Sequence, residues 1–187
     1  MKTFGGPVLF LDRSDINTDE IIPAKYLTEI TKEDLKPYIL EDLKLPGFDP
    51  KGPKTRNARV IVSRANFGCG SSREHAVWAL QAGGFEAVVS TAFADIFRGN
   101  ALKNGFVPVQ VDEATHARLV EAPGVEVSID VGAGVLSFGT RRAAFPLEPF
   151  ARYCLRSGRD ELAFLLSRER EIAAYEAQAG PAPWRSS

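Results

Sequence analysis

Residues 59–111, RVIVSRANFGCGSSREHAVWALQAGGFEAVVSTAFADIFRGNALKNGFVPVQV, decide the fold. Arg59-Val60-Ile61-Val62-Ser63 is short and β-branched, the composition of a strand. Arg64 to Gly70 reads as a glycine-containing loop. From Ser71 to about Ala82 the apolar residues Ala76, Val77, Ala79 and Leu80 fall at helical spacing, and Gly83-Gly84 closes the helix. Phe85 to Thr91 gives the next strand, with Ala87-Val88-Val89 inside it. Phe93, Ile96, Phe97 and Leu102 share one helical face, ended by Gly105. Phe106-Val107-Pro108-Val109-Gln110-Val111 is a third strand, and its proline points to a sheet edge or an irregularity. Strand, helix, strand, helix, strand implies right-handed crossovers onto a parallel sheet.

Upstream, Val8-Leu9-Phe10-Leu11 reads as a strand, and the polar stretch from Asp12 to Glu20 as a loop. Leu35, Ile39, Leu40 and Leu43 fall at helical spacing, but Pro37 divides that segment into two short turns. Residues 46–57 hold three prolines and two glycines and read as a surface loop. Downstream, Asp112 to Glu121 is a short amphipathic helix capped by Asp112. Val125 to Asp130 alternates as a half-exposed strand, and Gly132-Ala133-Gly134 turns it into Val135-Leu136-Ser137-Phe138, a hairpin. Ala143 to Leu147 adds a strand. Residues 149–178 are mostly helical with a break at Ser157-Gly158, and the tail 180–187 is frayed. The expected architecture is one α/β domain over 1–187, with a flexible loop at about 27–57 and a C-terminal helical tail at about 149–187.

The 187 residues carry 23 Lys and Arg against 24 Asp and Glu, a net charge of -1. So even a balance offers no general attraction to nucleic acid or an anionic membrane. No uncharged run approaches the roughly 18 to 20 residues of a membrane helix, and the N-terminus lacks the apolar core of a secretory signal. The expected location is the cytoplasm. There are two cysteines, Cys69 and Cys154, and two histidines, His75 and His116. A disulfide framework, a zinc motif and an iron–sulfur cluster, which takes about three or four thiolates, all need more ligands than that pool provides.

Asn66-Phe67-Gly68-Cys69-Gly70-Ser71-Ser72-Arg73-Glu74-His75-Ala76 is the strongest local signal. Gly68 and Gly70 let backbone approach a ligand closely. The helix start that follows offers unpaired N–H groups and the positive end of the macrodipole, and Arg73 adds a fork suited to a carboxylate or phosphate. Ser71-Ser72-Arg73-Glu74 also has the Ser-x-x-Glu form of a capping box, which needs no function. An arginine in the first turn opposes the dipole, so something should compensate it, such as a bound anion. Asp12, Asp15, Asp19 and Glu20 crowd the first loop as a solvated face, or Asn17-Thr18-Asp19 presents a polar group into a cleft; the spacing of a Ca²⁺ loop is absent. Cys69 reads as a small buried filler, His75 as a structural hydrogen-bonding residue, His116 as a surface histidine, and Trp78, Phe93 and Phe97 as core.

Asp15-Ile16-Asn17-Thr18-Asp19-Glu20-Ile21-Ile22-Pro23-Ala24-Lys25-Tyr26-Leu27 resembles the N-terminal signature of the 3-isopropylmalate dehydratase (isopropylmalate isomerase) small subunits. Phe67 to Leu80 resembles their central signature. Ile96-Phe97-Arg98-Gly99-Asn100-Ala101 and Ile172-Ala173-Ala174-Tyr175-Glu176 are similar too. The Gly-Ser-Ser-Arg-Glu-His-Ala string is shared more widely, with the swivel domain of aconitases and with homoaconitase small subunits. The resemblance implies the aconitase swivel fold, a layered β/β/α arrangement with a mostly parallel central sheet, an added hairpin and C-terminal helices. It implies a separate large subunit that binds a [4Fe-4S] cluster through three cysteines, with no metal held by this chain. A malate-type substrate would sit between the subunits, its hydroxyl and one carboxylate on the unique iron, and water would leave 2-isopropylmalate and return to give 3-isopropylmalate in leucine biosynthesis.

On that resemblance Ser71 matches the serine that takes the substrate C–H proton. Arg73 matches the arginine that holds a substrate carboxylate, and Ser72 a neighbouring substrate-binding serine. Gly70 and Asp19 match further active-site positions, and Tyr26, Leu27 and Thr28 fall where the family reads the substrate's variable group. The stretch Thr28 to Thr55 looks more like the shorter archaeal type, which includes homoaconitase. Homoaconitase, dimethylmalate and citraconate or maleate hydratase subunits are the neighbouring readings. From another class, the loop could serve a non-catalytic anion-binding module.

Overall fold

The computed structural model describes residues 3–28, 31–122, 124–158 and 161–179. Seven strands form one sheet: β1 (Phe4–Leu11), β2 (Val60–Ser63), β3 (Ala87–Ser90), β4 (Val107–Gln110), β5 (Glu126–Asp130), β6 (Val135–Phe138) and β7 (Arg141–Ala144). Their order is β4-β3-β2-β1-β5-β6-β7. The first four run parallel, and β5, β6 and β7 extend the sheet antiparallel. Pro108 does lie in an edge strand, as its missing N–H requires. β7 starts two residues earlier than the pattern of Ala143 to Leu147 suggests, because the exposed Arg141 and Arg142 pair with Phe138 and Ser137, and just past its end the Phe145 N–H still donates to the Gly134 carbonyl in the same register (2.9 Å).

β1 serves both halves of the sheet. Phe4 to Pro7 pair with β5, and Val8 to Leu11 pair with β2. Alternate residues of each parallel strand feed two apolar clusters on opposite faces. Ile61 and Val88 join one, with Ala76, Val77 and Leu80 of α4 (Glu74–Ala82) and Phe97 of α5 (Asp95–Lys103). Val60, Val62 and Val89 join the other, with Val127, Ile129, Leu136 and Phe138 of the curled antiparallel half. The chain steps from β2 to β3 to β4 in one direction, so right-handed crossovers put α4 and α5 on the same face. The result is the layered α/β fold that the sequence implies, with its parallel core, its hairpin and its C-terminal helices α7 (Pro149–Ser157), α8 (Glu161–Ser167) and α9 (Glu169–Ala179).

Two segments carry more structure than their sequences suggest. The polar loop after β1 contains a one-turn helix, α1 (Thr18–Ile21). The 27–57 segment holds α2 (Lys32–Leu35) and a 3₁₀ turn at Lys36–Tyr38, the two short turns that Pro37 implies, and in addition α3 (Pro53–Asn57) within the expected surface loop, and it buries Leu35, Leu40 and Leu43 against the α4 face. Each such leucine contributes roughly 1.5–3 kcal/mol of transfer free energy. α6 (Glu113–Val120) is capped as expected: the Asp112 carboxylate accepts the Thr115 N–H at 2.7 Å. His116, read above as a surface residue, is instead buried at 4% exposure, because it lies on the inner face of α6 with Thr115 and Leu119. The tail 180–187 lies outside the described residues.

Candidate active site

Past their carboxyl ends β1 and β2 continue side by side as loops. The Arg64 N–H donates to the Arg13 carbonyl (3.2 Å), that of Asp15 to Ala65 (3.0 Å), that of Gly68 to Ile16 (2.8 Å) and that of Thr18 to Cys69 (2.9 Å). The loop after β3 joins them, with Phe67 donating to Ala92 (3.2 Å) and Ala94 to Phe67 (3.1 Å). Three loops from adjacent parallel strands thus meet at the end of the sheet where open α/β folds present their ligands.

Glycine is required at the centre of this meeting. Gly68 has φ +78°, and a Cβ there would stand 2.2 Å from the Phe97 ring. Gly70 has φ +91° with its nearest neighbours, Asn17 and Thr18, at 3.5 Å or more, so the backbone conformation alone demands glycine there. The turn leaves Gly70, Ser71 and Ser72 exposed at the tip. The Ser71 and Ser72 hydroxyls make no hydrogen bond to any described residue.

The helix begins later than the sequence suggests. α4 starts at Glu74, with Arg73 as N-cap and no side-chain cap. Ser71-x-x-Glu74 does not form a capping box: Glu74 instead accepts from the Asn104 side chain at 2.7 Å. Residues 71–73 are held away from the helix by contacts with the first loop. The Thr18 hydroxyl donates to the Ser71 carbonyl at 3.0 Å, and Arg73 forms an ion pair with Asp19. The box that does form lies on α1, where Asn17 accepts the Glu20 N–H at 3.0 Å and Glu20 accepts the Asn17 N–H at 3.1 Å. Its Asn-x-x-Glu spacing is a sequence signal that a reading focused on Ser71 passes over.

The four carboxylates of the first loop do not converge. Asp12 pairs with Arg64, Asp15 accepts from Asn66, Asp19 pairs with Arg73 and Glu20 pairs with Arg13. Among the described residues, no three His, Cys, Asp or Glu side chains stand close enough to hold a metal ion. Asp19 is thus the charge that compensates Arg73 at the helix start. The Arg73 side chain is 17% exposed and Asp19 is 53% exposed, so the pair sits at the edge of solvent. Cys69 is half-buried within the tip; burial pushes its thiol up, and the Asp15 charge adds to this, so little thiolate forms near neutrality. His75 packs against Trp78 with ring centroids 4.7 Å apart.

Tyr26, Leu27 and Thr28 follow α1 in the chain, and the stacking and hydroxyl contacts of Tyr26 lead to Tyr38 and Glu41 rather than to the tip. Tyr26 is fixed: it stacks on Tyr38 at 3.7 Å, and its hydroxyl donates to Glu41 at 2.8 Å. Burial pushes the Glu41 carboxyl up, but hydrogen bonds from Lys25 and Tyr26 outweigh it and hold the group below its usual range. Leu27 is half-buried and Thr28 exposed. No local sequence rule announces this Tyr26–Tyr38–Glu41 clamp, because its members are brought together by the packing of 32–43.

The tip therefore offers a free serine hydroxyl, a guanidinium already engaged by a carboxylate, and the start of a helix, all on an exposed surface. The aconitase C-terminal domain family matches residues 5–114 of this chain. The 3-isopropylmalate dehydratase small subunit of Anaeromyxobacter sp. (strain K) is 48% identical over 174 residues, 89% of this chain and 91% of that protein. The small subunit of the same name from Roseiflexus castenholzii is 45% identical over 188 residues, 94% of this chain and 92% of that protein. The crystal structure of 3-isopropylmalate dehydratase from Methanocaldococcus jannaschii superposes with a TM-score of 0.69 at 26% identity, covering 94% of this chain and 100% of that one.

Proposed function

From the membership of this chain in the 3-isopropylmalate dehydratase small-subunit family, we propose that its exposed tip is the half of an active site that moves the substrate proton. The chain is a hydro-lyase subunit of leucine biosynthesis, and a large subunit is its partner. The names of the similar proteins favour 2- and 3-isopropylmalate over the homoaconitase, dimethylmalate and citraconate alternatives.

Aconitase-type dehydratases work with a [4Fe-4S] cluster. The donor set of this chain does not fit one: it has two cysteines in all, and among the described residues no metal-ligating cluster. The proposal places the cluster on the large subunit. What this chain supplies is proton transfer and carboxylate binding. Ser71 Oγ takes the proton from the substrate C–H and returns it in the reverse direction. An alkoxide is costly in water, and the neighbouring Arg73 cation and the free N–H groups at the start of α4 lower that cost. Arg73 binds a substrate carboxylate in the place that Asp19 fills in this structure. Ser72 and the Gly70 backbone complete the contacts with the acid, and Leu27 and Thr28 face the isopropyl group.

The observation that carries the reading is the unengaged Ser71 hydroxyl beside a carboxylate-paired arginine at an exposed helix start. Reconstitution with the cluster-loaded large subunit, followed by alkene formation from a panel of substituted malates, tests it. Activity on 2-isopropylmalate appears only with both subunits, and Ser71→Ala abolishes it while assembly persists. An Ser71→Ala complex within about tenfold of the parent would remove Ser71 from the chemistry, since general acid–base groups contribute about 10²–10⁴.

A further inference from the structure

We infer that Thr18 is a positioning residue that aims the Ser71 hydroxyl; this rests on Ser71 being the base. Thr18 is 1% exposed, although it belongs to a polar loop whose Asp12, Asp15 and Asp19 are exposed. Both of its hydrogen-bond donors cross to the tip, its N–H to the Cys69 carbonyl (2.9 Å) and its hydroxyl to the Ser71 carbonyl (3.0 Å). These two bonds bracket Gly70, the residue whose backbone is free to turn through positive φ. A glycine between two untethered residues would let the following serine sample many directions. Clamping the carbonyls on both sides removes that freedom and selects one path for the chain into Ser71.

Thr18 is itself held firmly. It is the first residue of α1, whose Asn17–Glu20 capping box fixes the backbone from which it projects. Glu20 is further tied to Arg13, and Ile16, Ile21 and Ile22 are buried completely on either side. The clamp thus connects the tip to the core through a buried hydroxyl. Thr18 is buried and its hydroxyl is engaged by the Ser71 carbonyl, so it acts through Ser71 rather than on the substrate. Its effect on rate comes from orientation, where a displacement of about 1 Å of a reacting group costs on the order of 10²-fold.

Thr18→Val keeps the shape and removes the donor, and Thr18→Ser keeps the donor. In the two-subunit enzyme, Thr18→Val should lower kcat about tenfold or more with KM changed less than about twofold, and Thr18→Ser should stay within about twofold of the parent. In the free small subunit, hydrogen exchange of the amides of residues 18 and 68, which donate across the two loops to Cys69 and Ile16, should quicken about tenfold in Thr18→Val, with the thermal midpoint and the exchange of β2 and β3 unchanged. Full kcat in Thr18→Val, equal damage in Thr18→Ser, or a rate loss matched by global destabilisation overturns the inference. Ser71→Ala runs alongside. If it is inactive while Thr18→Val is unimpaired, only the positioning role fails. If Ser71→Ala is itself active, both fail together.

Discussion

At the scale of single residues, the pairing of Arg73 with Asp19 separates two functions that one charge could have served. Arg73→Lys keeps the charge but loses the fork. It should raise KM for the substrate acid about tenfold or more, since hydrogen bonds to charged groups are worth about 1.5–3 kcal/mol. Steady-state kinetics of the reconstituted enzyme check this, and a KM unchanged within twofold would place the carboxylate elsewhere. The tip residues themselves were legible in the sequence, because glycines and serines crowd a strand-to-helix junction where backbone groups stand free. Thr18 was not legible. Its partner is 53 positions away, and its burial comes from the meeting of two loops rather than from any local pattern.

Among the elements, α6 and the Gly68 turn show opposite relations between sequence and structure. The Asp112 cap is local, so it could be read directly. Its carboxyl is held below the ordinary value of 3.8, first by the Thr115 hydroxyl and then by the Thr115 N–H. A depressed carboxyl contributes stability that is present above its ordinary value and is lost as the pH falls through the lower folded one. Asp112→Ala should therefore lower the thermal midpoint at pH 7, and the gap from the parent should narrow towards about pH 3. A gap independent of pH would deny the carboxylate its capping role. The Gly68 turn depends on Phe97, which a sequence places far away. Gly68→Ala would force its methyl group into that ring at a positive φ and should cost about 2–4 kcal/mol in denaturant unfolding. The start of α4 lies later than its local pattern indicates for the same reason: Thr18 and Asp19 hold residues 71–73 outside the helix, and both are more than fifty positions away in the chain.

Across the whole molecule, β1 binds the parallel and antiparallel halves into one structure, because the same eight residues pair with β2 at one end and β5 at the other. We propose that the chain unfolds as a single cooperative unit on this account. Far-UV circular dichroism and tryptophan fluorescence should then give coincident transitions. A first transition confined to one half would show that β1 does not couple them. The parallel core was legible from alternating strands and helices, whereas the curl that buries Val127 and Leu136 against it depends on β1 changing partners midway, which no periodicity records. The two outer rims of the sheet have a further consequence. One rim is β4, where Pro108 lacks a donor, and the other is β7, where Arg141 and Arg142 stand exposed. Neither welcomes an incoming strand. Lateral growth of the sheet by an added strand is thus discouraged on both sides.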